Sequence, residues 1–513
     1  MTGQSIKPER RRTLRNHART VSVDPLAIFQ PTSCDEIVEL VQRAEKEGVS
    51  VRAVGSRHSW SDVTLGPGYV LLPDGLARPL DPESHLLRPR DDASPEQLVR
   101  VESGMRIREL NRWLDREHGL ALSNMGGYDG QTVAGVISTS THGSGLGFGP
   151  LSDFVRSVDL VAAGGRRYRV EPEHGPTDPE LWNPEHPDWE LVQDDDRFAA
   201  VRVGMGCLGV IYAVMLAVEP GYLLTEVRKL STWEELRDGL HRGALLDPER
   251  NRHFELFLSP YARDSDGKHP CMLTTRDRLT DRLPPWWSSR RRRNWLAEFL
   301  SGLAPTGQVI RAVANLLPRA TPKFMEMTLN GLSDDEYTNK SYRVLNIGAA
   351  NSLPAYSAEI GVPVDDERRH VAAVDRIIEI ADEHRRIGEI FHTSPIALRF
   401  VASSDAHLSM MHGCDTMMIE LIQLKGTRGG LEVLEAYENA LYAVDGRPHW
   451  GQVNTLTGSH ELVGSLYEQL PRWLDAHATF NSSHVFDSPF SKRVGIAAHR
   501  AGVSRTGVSG TTG

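Results

Sequence analysis

The stretch VSVRAVGSRHSW, residues 49–60, combines a short strand with a turn that carries a histidine. Apolar side chains alternate along VSVRAV, a pattern that predicts a half-buried strand. Gly55 then opens a turn of small and polar residues that presents His58. A histidine in such a turn is either a surface residue or the attachment point of a bound group, and only the surrounding sequence distinguishes these alternatives.

A helix is predicted immediately before this strand. Ser33 followed by Glu36 has the spacing of a capping box, and Gly48 is a residue that can end a helix. Apolar residues recur at helical spacing between these ends, which predicts one buried face formed by Ile37, Leu40, Val41 and Ala44. The chain therefore enters the histidine turn through a helix and a strand.

Two later segments are rich in glycine. Residues 123–149 read SNMGGYDGQTVAGVISTSTHGSGLGFG, and residues 202–218 begin with three spaced glycines and continue as an apolar strand. Glycine allows backbone amides to approach a bound ligand closely. Between these segments, VDLVAAGG predicts a hairpin, and the many Pro and Asp residues at 171–197 predict a surface loop.

The composition is that of a soluble globular protein. The 513 residues are 40% apolar and 25% charged, which fits two or three domains of about 150 residues or more. The net charge of -10 gives no attraction for nucleic acid. The four cysteines form no CxxC pair, so we expect neither disulfides nor a zinc site, and a cytoplasmic location. No apolar run approaches the ~18 residues of a membrane span, and the basic start lacks the apolar segment of an export signal.

We expect two domains and a returning C-terminal segment. The first domain covers residues 20–220, the second 221–435, and residues 436–495 return to the site of the first, with flexible tails at 1–19 and 496–513. Strand-like runs alternate with helical patterns in the second domain, which predicts helices on a mostly antiparallel sheet. Residues 284–300, PPWWSSRRRRNWLAEFL, are expected to form a solvated arginine loop beside an amphipathic helix, with a membrane-surface or partner-docking helix as the alternative.

Seven ordered motifs carry a family resemblance. VGSRHSW, QTVAGVISTSTHGSG and GMGCLGVI resemble the PCMH-type FAD-binding domain of the vanillyl-alcohol-oxidase superfamily. HFELFLSP, SAEIGVP, SPIALRF and GRPHWGQ resemble its sugar-1,4-lactone oxidase branch, which contains aldonolactone and alditol oxidases. The resemblance implies an α+β fold, with a two-lobed PCMH-type FAD-binding domain and an α+β substrate (cap) domain built on an antiparallel sheet.

The resemblance implies FAD as the cofactor, bound covalently through a ring nitrogen of His58. Glycine-rich turns with N–H groups suit its pyrophosphate. The implied cofactor-binding residues are Val54, Gly55, Ser56, Arg57, His58, Ser59, Trp60, Asn124, Thr132, Gly135, Ser138, Thr141, His142, Gly143, Gly145, Gly206, Gly209, Val210, Ile211 and His449.

The resemblance also implies catalytic roles. Arg399 matches an arginine that stabilises negative charge on the alkoxide and the reduced flavin, a task that suits a planar, permanent cation. His449 and Trp450 match residues that line the flavin. Glu359 is either a general base or a structural carboxylate paired with a basic neighbour, and His142 is expected to pack or to form hydrogen bonds. No metal is expected.

Two positions depart from the branch. Ala397 stands where a glutamate is usual, two residues before the arginine, and Gln452 stands where a lysine is usual after His-Trp-Gly. Two charged groups near the reacting hydroxyl are thus replaced by neutral ones, and Gln452 is kept as a candidate catalytic residue. A pocket without these charges predicts that simple alditols and aldonolactones are poor substrates, and that the natural substrate is larger or less polar.

The expected function is oxidation of a CH–OH group by FAD, with oxygen reduced to hydrogen peroxide. The substrate is a small alcohol or lactone, and neither nucleic acid nor a membrane is a partner. Three alternatives stay open: a dehydrogenase with another electron acceptor, an oxidase of a bulkier alcohol such as a sterol or secondary metabolite, and a non-catalytic flavin-binding protein. Oxygen consumption separates the first from an oxidase, and flavin reduction by any alcohol eliminates the last.

Overall fold

The structure is a computed structural model and describes residues 6–89, 97–279, 314–333, 336–347, 354–457 and 460–497. Its strands are β1 (Leu14–Arg15), β2 (Ser22–Val23), β3 (Ala27–Phe29), β4 (Val51–Ala53), β5 (Tyr69–Leu71), β6 (Pro79–Leu80), β7 (Gln97–Glu102), β8 (Leu120–Ala121), β9 (Val155–Val161), β10 (Arg167–Glu171), β11 (Trp189–Gln193), β12 (Val210–Pro220), β13 (Leu223–Thr232), β14 (His253–Leu258), β15 (Pro270–Arg278), β16 (Tyr337–Lys340), β17 (Ala355–Pro363), β18 (Ile396–Val401), β19 (Thr416–Leu424) and β20 (Arg447–Pro448). Its α-helices are Cys34–Glu47, Ile107–Trp113, Val133–Ser138, Pro179–Glu185, Asp195–Arg202, Trp233–His241, Thr321–Leu332, Ser341–Leu345, Arg369–Gly388, Gly430–Tyr442, His460–Leu466, Leu470–Phe480 and Pro489–Arg493.

A small parallel sheet, in the order β3-β5-β4, holds the strand that precedes the histidine turn. The helix Cys34–Glu47 connects β3 to β4, and the predicted ends are confirmed. The Glu36 amide donates to Ser33 Oγ at 3.3 Å, and Gly48 takes the left-handed conformation with φ +67°. The predicted apolar face of this helix is also buried, so local sequence pattern and packing agree here.

Seven strands form the large sheet of the first domain, in the order β11-β10-β9-β12-β7-β6, with β8 beside β12. The predicted hairpin of β9 and β10 is confirmed. The surface loop predicted at 171–197 is wrong, because the segment contains the helix Pro179–Glu185 and then β11, which pairs with β10 in parallel. Trp182 anchors it and is 1% exposed, with the Arg169 guanidinium 3.7 Å from the ring centroid. These contacts with β10 are non-local, so local composition did not reveal them.

The second domain is built on eight antiparallel strands in the order β16-β13-β15-β14-β18-β19-β17-β20. The chain leaves the first sheet at the end of β12 and enters this one at β13, with two residues between the strands. The expected α+β class with an antiparallel substrate sheet is confirmed.

The two faces of the eight-stranded sheet differ because neighbouring side chains of a strand point to opposite faces. One face packs apolar side chains against the helices Trp233–His241, Arg369–Gly388 and Gly430–Tyr442. The other face carries a row of charged side chains, which meets the first domain at His142. The row contains Arg228, Glu226, Arg276, Glu255, Arg399, Glu420 and Glu359.

Both ends of the described chain pack on the first domain. Trp473 Nε1, on the helix Leu470–Phe480, donates to the Val203 carbonyl at 3.2 Å. At the other end, residues 6–19 differ from the expected flexible tail, because β1 pairs with β2 and Asn16 Nδ2 donates to the Ser59 carbonyl at 2.9 Å. The arginine-rich stretch 284–300 and residues 498–513 lie outside the described residues. Within those residues, no helix combines the length and the apolar character needed to cross a bilayer.

Candidate active site

A cleft in the first domain is lined by residues of both of its sheets. All three predicted segments contribute to it: the lining includes Val54, Gly55, Ser59, Thr132, Gly135, Ser138, Gly206, Gly209, Val210 and Ile211. The cleft therefore fits a cofactor at the place where the sequence predicts one.

Glycine is physically required in this lining. A Cβ atom at Gly55 would lie 2.2 Å from Thr132 Oγ1, and that hydroxyl caps the helix Val133–Ser138 by accepting the Gly135 amide at 3.3 Å. Gly206 and Gly209 have φ of +68° and +148°, conformations that side chains disfavour. The backbone of these turns is thus exposed to whatever fills the cleft.

Arg52 is a lining residue that the sequence interpretation missed. Its side chain is buried in β4, and Nη1 contacts Cys207 Sγ at 3.9 Å while Nη2 donates to the Val63 carbonyl. Within the described protein, the buried Nε has no hydrogen-bond partner. An unsatisfied cationic donor beside a cleft suits an anionic or carbonyl-bearing cofactor such as FAD. A charged residue inside the apolar alternation of VSVRAV is the signal that could have revealed it.

Several residues predicted to bind the cofactor have other contacts. The Gly145 amide donates to the Phe400 carbonyl, and the Thr141 amide donates to Val136 at 2.9 Å, so these two amides are not available to a phosphate. The Trp60 amide donates to Gly451 at 2.7 Å. Asn124 and Gly143 pack against each other. Ser56 and Arg57 line a separate open cleft together with Thr13, Arg15, Asn16, His17 and Arg19.

His58 is enclosed by aromatic rings. It stacks on Tyr128 with centroids 4.1 Å apart and lies 5.1 Å from the Trp60 ring and 4.4 Å from the His17 ring. Burial, with a smaller contribution from His17, lowers the pKa of His58 to about 3. His58 does not itself line the cleft between the two sheets, but Gly55 and Ser59 on either side do. The imidazole is therefore neutral at physiological pH and lies beside the predicted cofactor site.

The GRPHWGQ segment connects the histidine turn to the substrate sheet. Ser61 Oγ donates to the Trp450 carbonyl at 2.6 Å, and the His449 amide donates to the Glu359 carbonyl at 2.8 Å. Trp450 was expected to line the flavin, but its ring is fully buried, stacks on Tyr467 and donates from Nε1 to Leu408 at 2.7 Å. The Trp450 ring therefore packs in the core and holds the GRPHWGQ segment in place.

His142, Glu359 and His449 form a buried cluster. His142 faces the Gly143 carbonyl with Nδ1 at 2.8 Å and the Glu359 carboxylate with Nε2 at 3.3 Å. Burial would raise the pKa of Glu359, but His142, His449 and Arg399 lower it to about 2. Burial lowers the pKa of His449 to about 4 against the opposing effect of Glu359, and its Nδ1 accepts the Gly451 amide at 2.9 Å.

The same cluster has the spacing of a metal site, because its ligand atoms lie within 4.8 Å of one another. Arg399 Nη1, however, lies 3.5 Å from the same Glu359 oxygen. The carboxylate thus already has a permanent cation and an imidazole donor as partners, and a divalent ion would have to compete with both.

Arg399 lies at the centre of the charged row. Its Nη1 donates to Glu420 at 2.7 Å, and its Nε donates to Glu255 at 3.3 Å. Burial would lower the pKa of Arg399, but Glu420, Glu255 and Glu359 raise it. Within the described residues Nη2 makes no hydrogen bond, and the side chain keeps 13% of its exposure. One end of a fixed guanidinium is therefore available to a ligand.

The register of the sheet places a carboxylate next to Ala397. Ala397 lies directly opposite Glu420 in the β18–β19 ladder, and opposite residues of a ladder share a face. This face therefore carries a carboxylate despite Ala397, which weakens the argument from lost charge and, with it, the expectation that simple alditols and aldonolactones are poor substrates. No such neighbour is seen for the second departure, Gln452 in place of lysine, among the described residues. Gln452 Oε1 is buried there without a hydrogen-bond partner.

Together, the glycine-lined cleft, the neutral His58 and the guanidinium beside two imidazoles define a class, the flavin-dependent oxidoreductases. Comparison with known proteins supports it. A family profile described as "FAD binding domain" matches residues 25–171, and one described as "D-arabinono-1,4-lactone oxidase" matches residues 214–494. The chain belongs to the D-arabinono-1,4-lactone oxidase family. It is an FAD-dependent oxidoreductase that acts on CH–OH donors.

Individual relatives extend over most of the chain. The L-gulono-1,4-lactone dehydrogenase of Mycobacterium tuberculosis is 30% identical over 92% of this chain and 96% of its own length. The alditol oxidase of a Streptomyces species is 27% identical over 90% of this chain and 93% of its own. A cholesterol oxidase from B. sterolicum shares the fold, with a TM-score of 0.73 and 15% identity over 95% of this chain and 97% of that one.

Proposed function

We propose that the enzyme is an oxidase of hydroxyl-rich, sugar-derived alcohols or lactones. It takes a hydride and a proton from a CH–OH group to leave a carbonyl, and passes the two electrons to oxygen, which becomes hydrogen peroxide. The observation that carries the proposal is the site around Arg399. A guanidinium whose Nη2 makes no hydrogen bond with the described residues lies beside Glu420 and the His142–Glu359–His449 cluster, an arrangement that suits a polar substrate rather than an apolar one.

FAD, when bound, supplies the hydride acceptor, and the residues of the cleft would hold it. Arg399 orients the substrate oxygen and stabilises the negative charge that develops on it, because ion pairs fix its position before substrate arrives. His449 contributes a buried, neutral imidazole, because burial lowers its pKa to about 4. Glu359 is a positioning residue: with a pKa of about 2 it is a weak base, and its contacts orient the two imidazoles.

We also propose that FAD is linked covalently to His58. Bond formation needs a ring nitrogen with a free lone pair, and the low pKa of His58, about 3, provides this at every physiological pH. The stacking of Tyr128 restricts the orientation of the imidazole. The neighbouring Gly55 and Ser59 line the cleft, which keeps the histidine close to a cofactor bound there.

The test is anaerobic mixing of the purified holoenzyme with L-gulono-1,4-lactone, D-arabinono-1,4-lactone, xylitol and sorbitol, while the flavin absorbance is followed. We expect at least one of them to bleach the flavin, and readmitted oxygen to restore the colour with one hydrogen peroxide per turnover. Dithionite serves as the control that the flavin can be reduced. A flavin that dithionite bleaches but none of these compounds reduces would contradict the proposal.

A dehydrogenase is the second candidate, and the relative from Mycobacterium tuberculosis, named as a dehydrogenase, favours it. In that case a substrate would still bleach the flavin, but the reduced flavin would react slowly with oxygen and rapidly with an artificial acceptor. An oxygen electrode distinguishes the two outcomes in a single trace.

A further inference from the structure

Glu420 differs from the other carboxylates around Arg399. Glu255 is shared with Arg276, and Glu359 is shared with His142. Glu420 has one partner only among the described residues, Arg399 Nη1, which reaches its Oε2. Its other oxygen, Oε1, makes no hydrogen bond with the described protein, and the side chain keeps 16% of its exposure.

Arg399 and Glu420 each have one polar atom that makes no hydrogen bond with the described residues, and the two atoms are chemically complementary. Glu420 Oε1 is an acceptor, Arg399 Nη2 is a donor, and both belong to a partly buried ion pair held at 2.7 Å. A hydroxyl group can donate to the first, and a neighbouring hydroxyl oxygen can accept from the second. A substrate with two adjacent hydroxyls satisfies both atoms at once, whereas an isolated alcohol leaves one of them unpaired in the closed complex.

We propose that Glu420 is a specificity-determining residue, which with Arg399 selects substrates whose reacting CH–OH carbon is next to a second hydroxylated carbon. It supplies from β19 the carboxylate that Ala397 cannot supply from β18. The inference rests on the proposed function, since it assigns substrate contacts within that site.

The excess of negative charge supports a role beyond positioning. Arg399 already contacts Glu255 and Glu359, so a third carboxylate is not needed to neutralise or to fix it. An additional partly buried carboxylate is costly unless donors complete its hydrogen bonding. The hydroxyl protons of a polyol or lactone are donors of the required kind.

The experiment compares sorbitol with 2-deoxysorbitol, and L-gulono-1,4-lactone with its 3-deoxy analogue, by steady-state kinetics of wild type, Glu420→Gln and Glu255→Gln. We expect wild type to prefer each hydroxylated member by about 10- to 100-fold in kcat/KM, the range of one hydrogen bond to a charged group. Glu420→Gln should lose most of that preference, mainly through KM. Glu255→Gln, which alters the support of Arg399 and Arg276 but not the carboxylate proposed to contact the second hydroxyl, should slow both members of each pair by the same factor.

A second variant guards against a damaged site. In the double variant Ala397→Glu with Glu420→Ala, the carboxylate moves from β19 to the neighbouring strand β18. We expect much of the preference for the hydroxylated substrates to return. Equal losses for both members of each pair in Glu420→Gln, with no recovery in the double variant, would overturn the inference and leave the proposed function intact. A wild-type flavin that none of these compounds reduces would instead refute the proposed function, and the inference with it.

Discussion

His58 is kept neutral by its surroundings rather than by its own chemistry. Free histidine titrates near pH 6.5, but burial among Tyr128, Trp60 and His17 lowers the pKa of His58 to about 3. The turn that carries it was recognisable in the sequence. The aromatic enclosure was not, because Tyr128 lies in the glycine-rich segment 123–149 and His17 lies in a stretch expected to be a flexible tail.

The first prediction is that the flavin stays with acid-precipitated protein in wild type and is released from His58→Ala. The reason is that a histidyl bond survives denaturation, whereas the contacts of the cleft do not. Absorbance of the supernatant and pellet after acid treatment measures it. His85→Ala, at an exposed histidine, is the matched control and should keep its flavin. Release of the flavin from wild type would refute covalent attachment without affecting the family assignment.

Arg399, Glu359 and His142 could be identified from motifs, but the role of Glu420 could not. TMMIELIQL contains one carboxylate in an apolar strand, as do HFELFLSP and SAEIGVP, and this recurrence predicts a charged row in hindsight. Which residues face each other depends on strand order and register, which are set by contacts far apart in sequence. The pairing of Ala397 with Glu420 is such a contact.

At the level of secondary structure, the elements around the cofactor cleft were predictable because their signals are local. The helix Cys34–Glu47 begins and ends at its predicted caps, and β12 follows its glycines as expected. The helix and strand within 171–197 were not predictable, because they are held by Trp182 and by pairing with β10. Secondary-structure propensity depends on the residues within a segment, whereas burial depends on the other elements that pack against that segment.

The second prediction concerns the contact between the histidine turn and the helix Val133–Ser138. Gly55→Ala should strongly reduce flavin content, because the added methyl group would lie 2.2 Å from Thr132 Oγ1 and one of these elements must shift. The ratio of flavin to protein absorbance measures the effect. Gly147→Ala, in the glycine-rich segment that also holds Thr132, is the control, since the nearest neighbour of its methyl group would be Pro248 Cβ at 3.7 Å. Equal flavin content in the two variants would contradict the argument.

Several buried groups have pKa values that differ between the folded and unfolded protein, so the stability of the whole molecule depends on pH. Burial lowers the pKa of His253 and of His392 to about 3. Burial would raise the pKa of Glu255, but Arg276 and Arg399 lower it to about 2. Each of these groups takes up its proton more readily when unfolded, so unfolding is favoured as pH falls below its unfolded pKa. Asp153, whose pKa burial raises to about 6, has the opposite sign.

The third prediction is that thermal stability falls in two stages on acidification. Between about pH 6.5 and 4.5 the buried histidines dominate, and each lowers the free energy of unfolding by about 1.4 kcal/mol per pH unit. Below about pH 4.5 the ion-paired carboxylates add to the loss. Melting temperature by circular dichroism between pH 8 and 3 measures it. His392→Phe, which removes one fully buried imidazole, should make the first stage less steep. A melting temperature that rises from pH 6.5 to 4.5 would show that Asp153 and similar groups outweigh the histidines.

The two domains meet where the chemistry is proposed. The Phe400 amide donates to Ser144 Oγ at 3.1 Å, which fixes the strand of Arg399 against the glycine-rich segment of the first domain. His142, from that segment, reaches Glu359 of the substrate sheet. The cofactor cleft and the charged row are thereby brought together by contacts that neither domain could make alone.

We propose above that Arg399 promotes hydride transfer from its position between Glu255 and Glu420. Anaerobic rapid mixing of wild type and Arg399→Lys with the fastest substrate tests it most directly, because the limiting rate of flavin reduction reports the step itself. Loss of one charge-stabilising donor typically costs about 100-fold or more, and a lysine cannot reproduce the planar fork held between Glu255 and Glu420. We therefore predict a limiting rate at least about 100-fold lower, with the flavin spectrum unchanged. A rate within a few fold of wild type would contradict the account.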